Sequence, residues 1–355
     1  MTEFTKRLAH ARSRKRQAAR NLYTRKLQAV MGIGSKPTTE INYLLEGRFQ
    51  TQITRRVPLA NATEYSFETK DGLFRHNFDS TEIVTLNCAV VDTEFNLIYA
   101  ISDRGTLVLL QESSDWPASA ITQFHRPISR IPKDAESDVS LGLGSRGYYH
   151  LISEDLSRVA ALNDSRKILQ FSQSSRNSFE ILSALPIKVI PTPKYVKVEN
   201  LTFVTHGNNL GYLDSWQLIT LRDRFKNLLS ADSDEKLYIS RSLTRRSPSF
   251  ELELIEKMRE LGFKIVHLEN YKFENQIRMF SSAKVIVGIH GAGLTGSLWA
   301  HKPLVIELMD EDYFNRCFEW QTLMNKGQYE RIFYPSKSST AEVIFKKITR
   351  ILNAV

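Results

Sequence analysis

Lys284 to His301 read KVIVGIHGAGLTGSLWAH. The apolar run Val285 to Ile289 has the length of a buried strand. It stops at His290 and a Gly-Ala-Gly turn, and a second apolar segment begins at once. A structural turn needs one glycine at most. Two glycines flanking Ala292 suggest that something approaches the backbone closely there. A helix opening at Ala292 to Thr295 would present unpaired N–H groups and the positive end of its dipole, which is the chemistry of an anion site.

The segments around this turn repeat one pattern. LYIS (237–240) reads as a strand, and SFELELIEKMRELG (249–262) as a helix with Leu254, Ile255, Met258 and Leu261 on one face, closed by Gly262. FKIVHLE (263–269) is the next strand and KFENQIRMFSSA (272–283) the next helix. KVIVGI, a helix over LTGSLWA, and a strand over PLVIEL (303–308) complete the series. Strands alternating with helices of this length predict βαβ units and a parallel sheet. Ligands of such sheets bind at the carboxyl ends of the strands. That edge would gather the arginine loop ISRSLTRR with Arg241, Arg245 and Arg246, the turn from His290 through Gly291, Ala292, Gly293, Leu294 and Thr295, and Glu307. Fork-shaped guanidinium donors suit phosphate oxygens, and a carboxylate at a strand end suits two ribose hydroxyls. Together they describe a nucleotide-diphosphate site.

Before this regular half, residues 41 to about 135 alternate short apolar runs, such as EIVTLNCAVVD (82–92) and FNLIYAIS (95–102), with turn residues, and predict strands. YHLISEDLSRVAALN (149–163) reads as a helix, and a second begins after GNNLGYL with Asp214 or Ser215 as its cap. GIGSKPTTE (32–40) is a Gly/Pro/Ser/Thr break. The expected division is a basic helical segment with its linker over 1–40, a first domain over 41–228 and a nucleotide-binding domain over 229–355.

Of the net charge of +9, residues 1–30 carry +8, with nine Lys or Arg against Glu3. The body is therefore close to neutral. The basic segment is expected to be a solvated helix, with docking on an anionic membrane leaflet as the sharper reading; no aromatic interleaving supports nucleic acid as a partner. Hydrophobic residues at 42% and charged residues at 25% fit a soluble globular protein. No window approaches the ~18 uninterrupted apolar residues of a membrane helix, and no apolar segment follows the first basic residues as in a secretory signal. Cys88 and Cys317 are the only cysteines, as expected in a reducing cytosol.

The second half resembles glycosyltransferase family 61, a group of plant, animal and bacterial sugar transferases. LYISRSLTRR, VHLENYKFENQIRMFSSAKVIVGIHGAGLT and PLVIEL carry the resemblance, and the run from Glu269 through Gln276 to HGAGLT is its most specific part. Upstream, GYYHLISEDLSRV (147–159) resembles the family's first-domain motif, with His150, Glu154 and Arg158 at its polar positions. Gly147 stands where the family commonly has Asn, and SPSFELE has no clean counterpart to an Asn-Glu pair.

The resemblance implies an α/β, GT-B-like fold of two Rossmann-like domains facing across a cleft. It also implies an inverting transfer from a nucleotide sugar, expected to be UDP-linked, to a glycan or lipid-linked glycan acceptor in surface polysaccharide biosynthesis. Neither a metal nor another cofactor is required on this reading. The enzyme would be cytoplasmic, or peripheral to the inner face of a bacterial plasma membrane. Glu154 is the expected general base with His150 as its partner. Asp310 and Asp312 are expected to form a solvated acidic turn. A nucleotide-sugar epimerase on the same scaffold and a non-catalytic nucleotide- or sugar-binding protein are the alternatives.

Overall fold

The computed structural model describes residues 38–39, 49–93, 97–105, 107–110, 131–132, 135–140, 147–162, 167–170, 180–181, 184–185, 188–191, 193–205, 211–230, 234–244, 247–335 and 340–354. The basic segment 1–30, Arg245 and Arg246 lie outside the described residues.

The first part of the chain is built on strands β1 (Thr38–Thr39), β2 (Gln52–Ala60), β3 (Thr63–Thr69), β4 (Gly72–Phe78), β5 (Thr81–Asp92), β6 (Leu97–Ile101), β7 (Leu107–Leu110), β8 (Ala135–Glu136) and β9 (Val139–Ser140). They are joined further on by β10 (Lys167–Gln170), β11 (Lys188–Pro191) and β12 (Tyr195–Val204). Among the described residues the main sheet runs β1-β7-β6-β5-β12-β9-β10-β11, with β2 also on β5 and β8 also on β12. This sheet is mixed. β5 pairs antiparallel with β2, β6 and β12, whereas β9, β10 and β11 pair in parallel. Among the described residues this half is therefore mixed where a wholly parallel sheet was expected, because connections as short as Asp92 to Leu97 allow a hairpin return and no crossover helix.

The second half is regular. β13 (Glu235–Ile239), β14 (Lys264–Val266), β15 (Ala283–Ile289), β16 (Leu304–Asp310) and β17 (Gln328–Tyr334) form one parallel sheet in the order β14-β13-β15-β16-β17. The βαβ expectation holds, and β17 extends the sheet by a strand that the pattern alone had not marked.

Six helices matter for the site. α1 is continuous through Tyr148–His150, a π-helical Leu151–Leu156 and Ser157–Ala161. α2 is Ser215–Arg224, α3 Glu251–Glu260, α4 Phe273–Ser281, α5 Cys317–Met324 and α6 Ala341–Leu352. Asp214 caps α2 in a capping box completed by Gln217. Gly262 follows α3 with φ +78°, the left-handed conformation that a glycine adopts without strain.

Both faces of the parallel sheet are covered. α3 and α6 close one face over Tyr238, Val287, Ile306 and Ile332. On the other face a single apolar cluster joins α1 and α2 (Leu151, Ile152, Leu218, Leu221) to Ile239, Ile286, Leu298 and Phe318. The core thus runs across residue 228 without a break, and α1 packs directly against the parallel sheet's own elements. No helix among the described residues is long and apolar enough to cross a membrane.

The β3–β4 hairpin stands apart from both larger sheets and clasps α5. Tyr65, Phe67, Phe74, His76 and Phe78 surround the fully buried Trp320. At the hairpin tip Asp71 pairs with Arg331 of β17 at 2.8 Å, and Lys70 pairs with Glu330.

Candidate active site

The strand order sets the site. β15 lies between β13 and β16, so Arg241, His290 and Asp310 occur side by side at the carboxyl edge of the parallel sheet. Arg241 lies across the turn, where its Nη1 donates to the His290 carbonyl. A Cβ on Gly291 would come within 2.7 Å of that nitrogen. The space beside the glycine is therefore shared with the Arg241 guanidinium. At Gly293 a Cβ would crowd Ile239 and Leu268 at 3.0 and 3.2 Å. Each glycine thus gives room to a neighbouring side chain as well as keeping the backbone of the turn bare.

The segment after the turn, Ala292–Trp299, is a 3-10 helix where an α-helix was expected. Leu294 N donates to the Gly291 carbonyl at 3.0 Å, which removes one of the donors expected to face a ligand. Leu294 and Thr295 are fully buried. His290, Gly291, Ala292 and Gly293 are the solvent-reaching part of the turn.

Glu307, expected to meet a ribose, is fully buried, and its two oxygens accept from His290 Nδ1 and the Tyr329 hydroxyl. Position 307 points to the inner face of a strand flanked by β15 and β17, so its carboxylate orients His290 instead. Burial, followed by the Glu307 charge, pushes the Tyr329 phenol well up, so this hydroxyl keeps its proton and remains the donor. His290 retains 16% exposure on its side chain.

A second histidine–carboxylate pair comes from α1. His150 Nδ1 lies 2.8 Å from Glu154 Oε1, which also accepts from Gly211 N at 2.9 Å. The i, i+4 spacing puts both on one face of the helix, as expected. The His150 side chain is 38% exposed and that of Glu154 2%, so the histidine is the member of the pair that reaches solvent. Because a carboxylate only accepts, the His150 proton sits on Nδ1 and the lone pair is left on Nε2. Arg158 is buried beside Asp155 at 3.6 Å, inside the helix packing.

The two pairs meet on one aromatic bridge. Ring centroids step from His150 to Tyr149 at 5.4 Å, from Tyr149 to Phe318 at 5.5 Å and from Phe318 to His290 at 5.4 Å. Behind the bridge, burial and the charges of Glu307 and Glu154 together push the Cys317 thiol well up, so it stays a neutral packing group.

The remaining expected residues have supporting places. Gln276 accepts from the Tyr148 hydroxyl at 2.7 Å and donates to the Leu268 and Tyr271 carbonyls, tying α1 to the loop after β14. Glu269 is exposed on that loop. Asp310 Oδ1 accepts from Asp312 N at 2.9 Å, so the first aspartate of the expected acidic turn caps the turn itself. Burial and Asp310 raise the Tyr334 phenol to about 12, with Arg241 opposing, which puts both charges beside Tyr334.

Sequence reasoning missed Glu251. It is fully buried at the start of α3 and accepts from Arg241 N at 2.6 Å, Ser240 Oγ at 3.1 Å and Ser247 Oγ at 2.5 Å, so it holds both ends of the arginine loop. Its signal was present in SPSFELE, as an acid in the first turn of a helix following that loop. Tyr329 and Phe318 were missed as well, since neither sits in a recognisable spacing.

Residues 148–306 match the family model described as Glycosyltransferase 61. The matched span includes both histidines, Glu154 and Arg241, and on it the chain is a glycosyltransferase, which takes a sugar donor and an acceptor. Among curated proteins nothing matches. Of solved structures, the dodecameric iron-containing heptosyltransferase TibC, in complex with ADP-D-β-D-heptose, aligns over 86% of each chain at 10% identity and a TM-score of 0.31, which is too low to carry an argument.

Proposed function

We propose that this glycosyltransferase moves a sugar from a nucleoside-diphosphate donor bound at the His290–Gly293 turn to an acceptor hydroxyl activated by His150. The observation that carries this reading is the shared bridge, since two histidine–carboxylate pairs from different halves of the chain border one Tyr149–Phe318 contact. His150 takes the acceptor proton on Nε2. The acceptor oxygen attacks the anomeric carbon, and the bond from that carbon to the diphosphate breaks with its electron pair leaving on oxygen. One displacement inverts the configuration. In this reading residues 229–355 supply the donor side and 41–228 the acceptor side, in a GT-B-like division of labour with a mixed first sheet. The acceptor is a glycan or lipid-linked glycan, and the donor is UDP-linked.

Three expected results test the reading. Purified protein incubated with UDP-, GDP-, ADP- and dTDP-linked sugars should release nucleoside diphosphate from one of them, faster when a glycoside acceptor is added. Arg241 and the turn supply positive charge to the leaving group, so this release should persist in excess EDTA; full loss restored by manganese would refute metal independence. Arg241→Ala should weaken nucleoside-diphosphate binding by ~1.5–3 kcal/mol, the usual worth of a hydrogen bond to a charged group. Calorimetry showing unchanged affinity would remove Arg241 from the donor site.

A further inference from the structure

We infer that Tyr313 is the platform on which the nucleobase of the donor stacks, an inference that rests on the donor reading above. Tyr313 follows β16 directly, at the carboxyl edge where the sheet presents its ligand groups. Its ring centroid stands 4.8 Å from that of His290, tilted at 51°, and half of its surface remains exposed. A large ring left half in water beside an anion-binding turn has apolar area available for a ligand.

The loop that carries the ring is built to hold it. Glu311 N donates to the Tyr334 carbonyl at 3.0 Å, Asp312 N to Asp310 Oδ1 at 2.9 Å and Tyr313 N to the Asp310 carbonyl at 3.0 Å. Asn315 Nδ2 reaches the Tyr313 hydroxyl at 3.5 Å, the outer limit of a hydrogen bond. The next residue, Phe314, stacks on Phe333 at 6.3 Å and 23°, under the Arg331 guanidinium. Phe314 is itself 46% exposed, so what distinguishes Tyr313 is its contact with His290.

Direction selects the nucleobase over the sugar. A bound donor leaves the diphosphate at both ends. Its reacting carbon must run toward His150, on the side of His290 backed by the buried rings of Phe318 and Tyr149. The nucleoside end then takes the other ring that borders His290, which is Tyr313. Stacking on a base is tolerant of base identity, because every base has a π-face. Tyr313 would therefore add affinity for nucleosides in general, and discrimination among bases would come from edge contacts elsewhere.

The test is calorimetry on the full chain with UDP, ADP, GDP and CDP, inorganic diphosphate, and the preferred nucleotide sugar. Tyr313→Ala should weaken the tightest nucleoside diphosphate about tenfold or more, leave inorganic diphosphate unchanged, and leave the unfolding midpoint in place. Tyr313→Phe should bind like the native chain. Equal weakening of inorganic diphosphate would show that Tyr313 acts by holding His290, and weakening of the nucleotide sugar alone would assign the ring to the sugar. Either result overturns the platform. So does native affinity for UDP in Tyr313→Ala, which leaves the donor site standing. A native chain that binds neither nucleoside diphosphate nor inorganic diphosphate would overturn the donor reading and this inference together.

Discussion

His150→Ala is expected to lower turnover by ~10²–10⁴-fold, the usual contribution of a positioned general base, while donor affinity stays within about twofold. The expectation rests on which member of the pair can reach a substrate. The His150 ring is more than one-third exposed, and Glu154 is closed beneath it with Gly211 N on the same oxygen. Glu154→Gln keeps a hydrogen-bond acceptor toward Nδ1 but loses the charge that steadies an imidazolium. It should therefore retain part of the rate and shift the acid limb of the pH–rate profile. A Glu154→Gln enzyme that is dead beside an active His150→Ala enzyme would restore the carboxylate as base. Normal turnover in both would remove α1 from the chemistry.

Trp320→Ala is expected to cost ~3–5 kcal/mol of stability, the range for a buried large aromatic cut to alanine. Trp320 is fully buried among six rings, with Phe74 at 4.9 Å, Phe67 at 5.2 Å, Tyr212 at 5.5 Å, His76 at 5.6 Å, Phe78 at 5.9 Å and Tyr65 at 6.3 Å between centroids. Its Nε1–H also donates to the Leu213 carbonyl at 2.9 Å, which the substitution leaves unpaired. Five of the six rings belong to the β3–β4 hairpin, so the loss should loosen the clasp on α5. Because Phe318 lies on the same helix, turnover should fall further than global unfolding explains. Urea unfolding with a change below ~1 kcal/mol would show that the hairpin is not part of the cooperative core. Leu252→Ala, at an exposed position of α3, is the matched control and should change little.

These two results depend on different kinds of information. Four of the five strands of the parallel sheet were readable because β13 to β16 are short apolar runs alternating with helical segments, and that periodicity is local. Arg241, the His290 turn and the pairing of His150 with Glu154 were readable for the same reason: strand ends and an i, i+4 spacing are properties of neighbouring residues. The close approach of Phe280 to Gly296, where a Cβ would lie 2.0 Å from the ring, was not readable, because it joins two segments that no local pattern connects.

Tertiary structure alone decided what each carboxylate does. Glu154 and Glu307 both fit a ligand-contacting role from their places in the sequence. Each is instead buried against a partner, Gly211 in one case and Tyr329 in the other, that no local pattern connects to it. Burial of a charge is tolerated only when it is hydrogen-bonded, so the partners and the role arrive together. The aromatic bridge from His150 to His290 belongs to the same class, since Phe318 enters from a helix beyond the matched family span. By itself the sequence determined which groups line the strand edge, and the packing of α1 and α5 against that edge decided which of them face a substrate, because exposure is a property of the whole core and not of any segment.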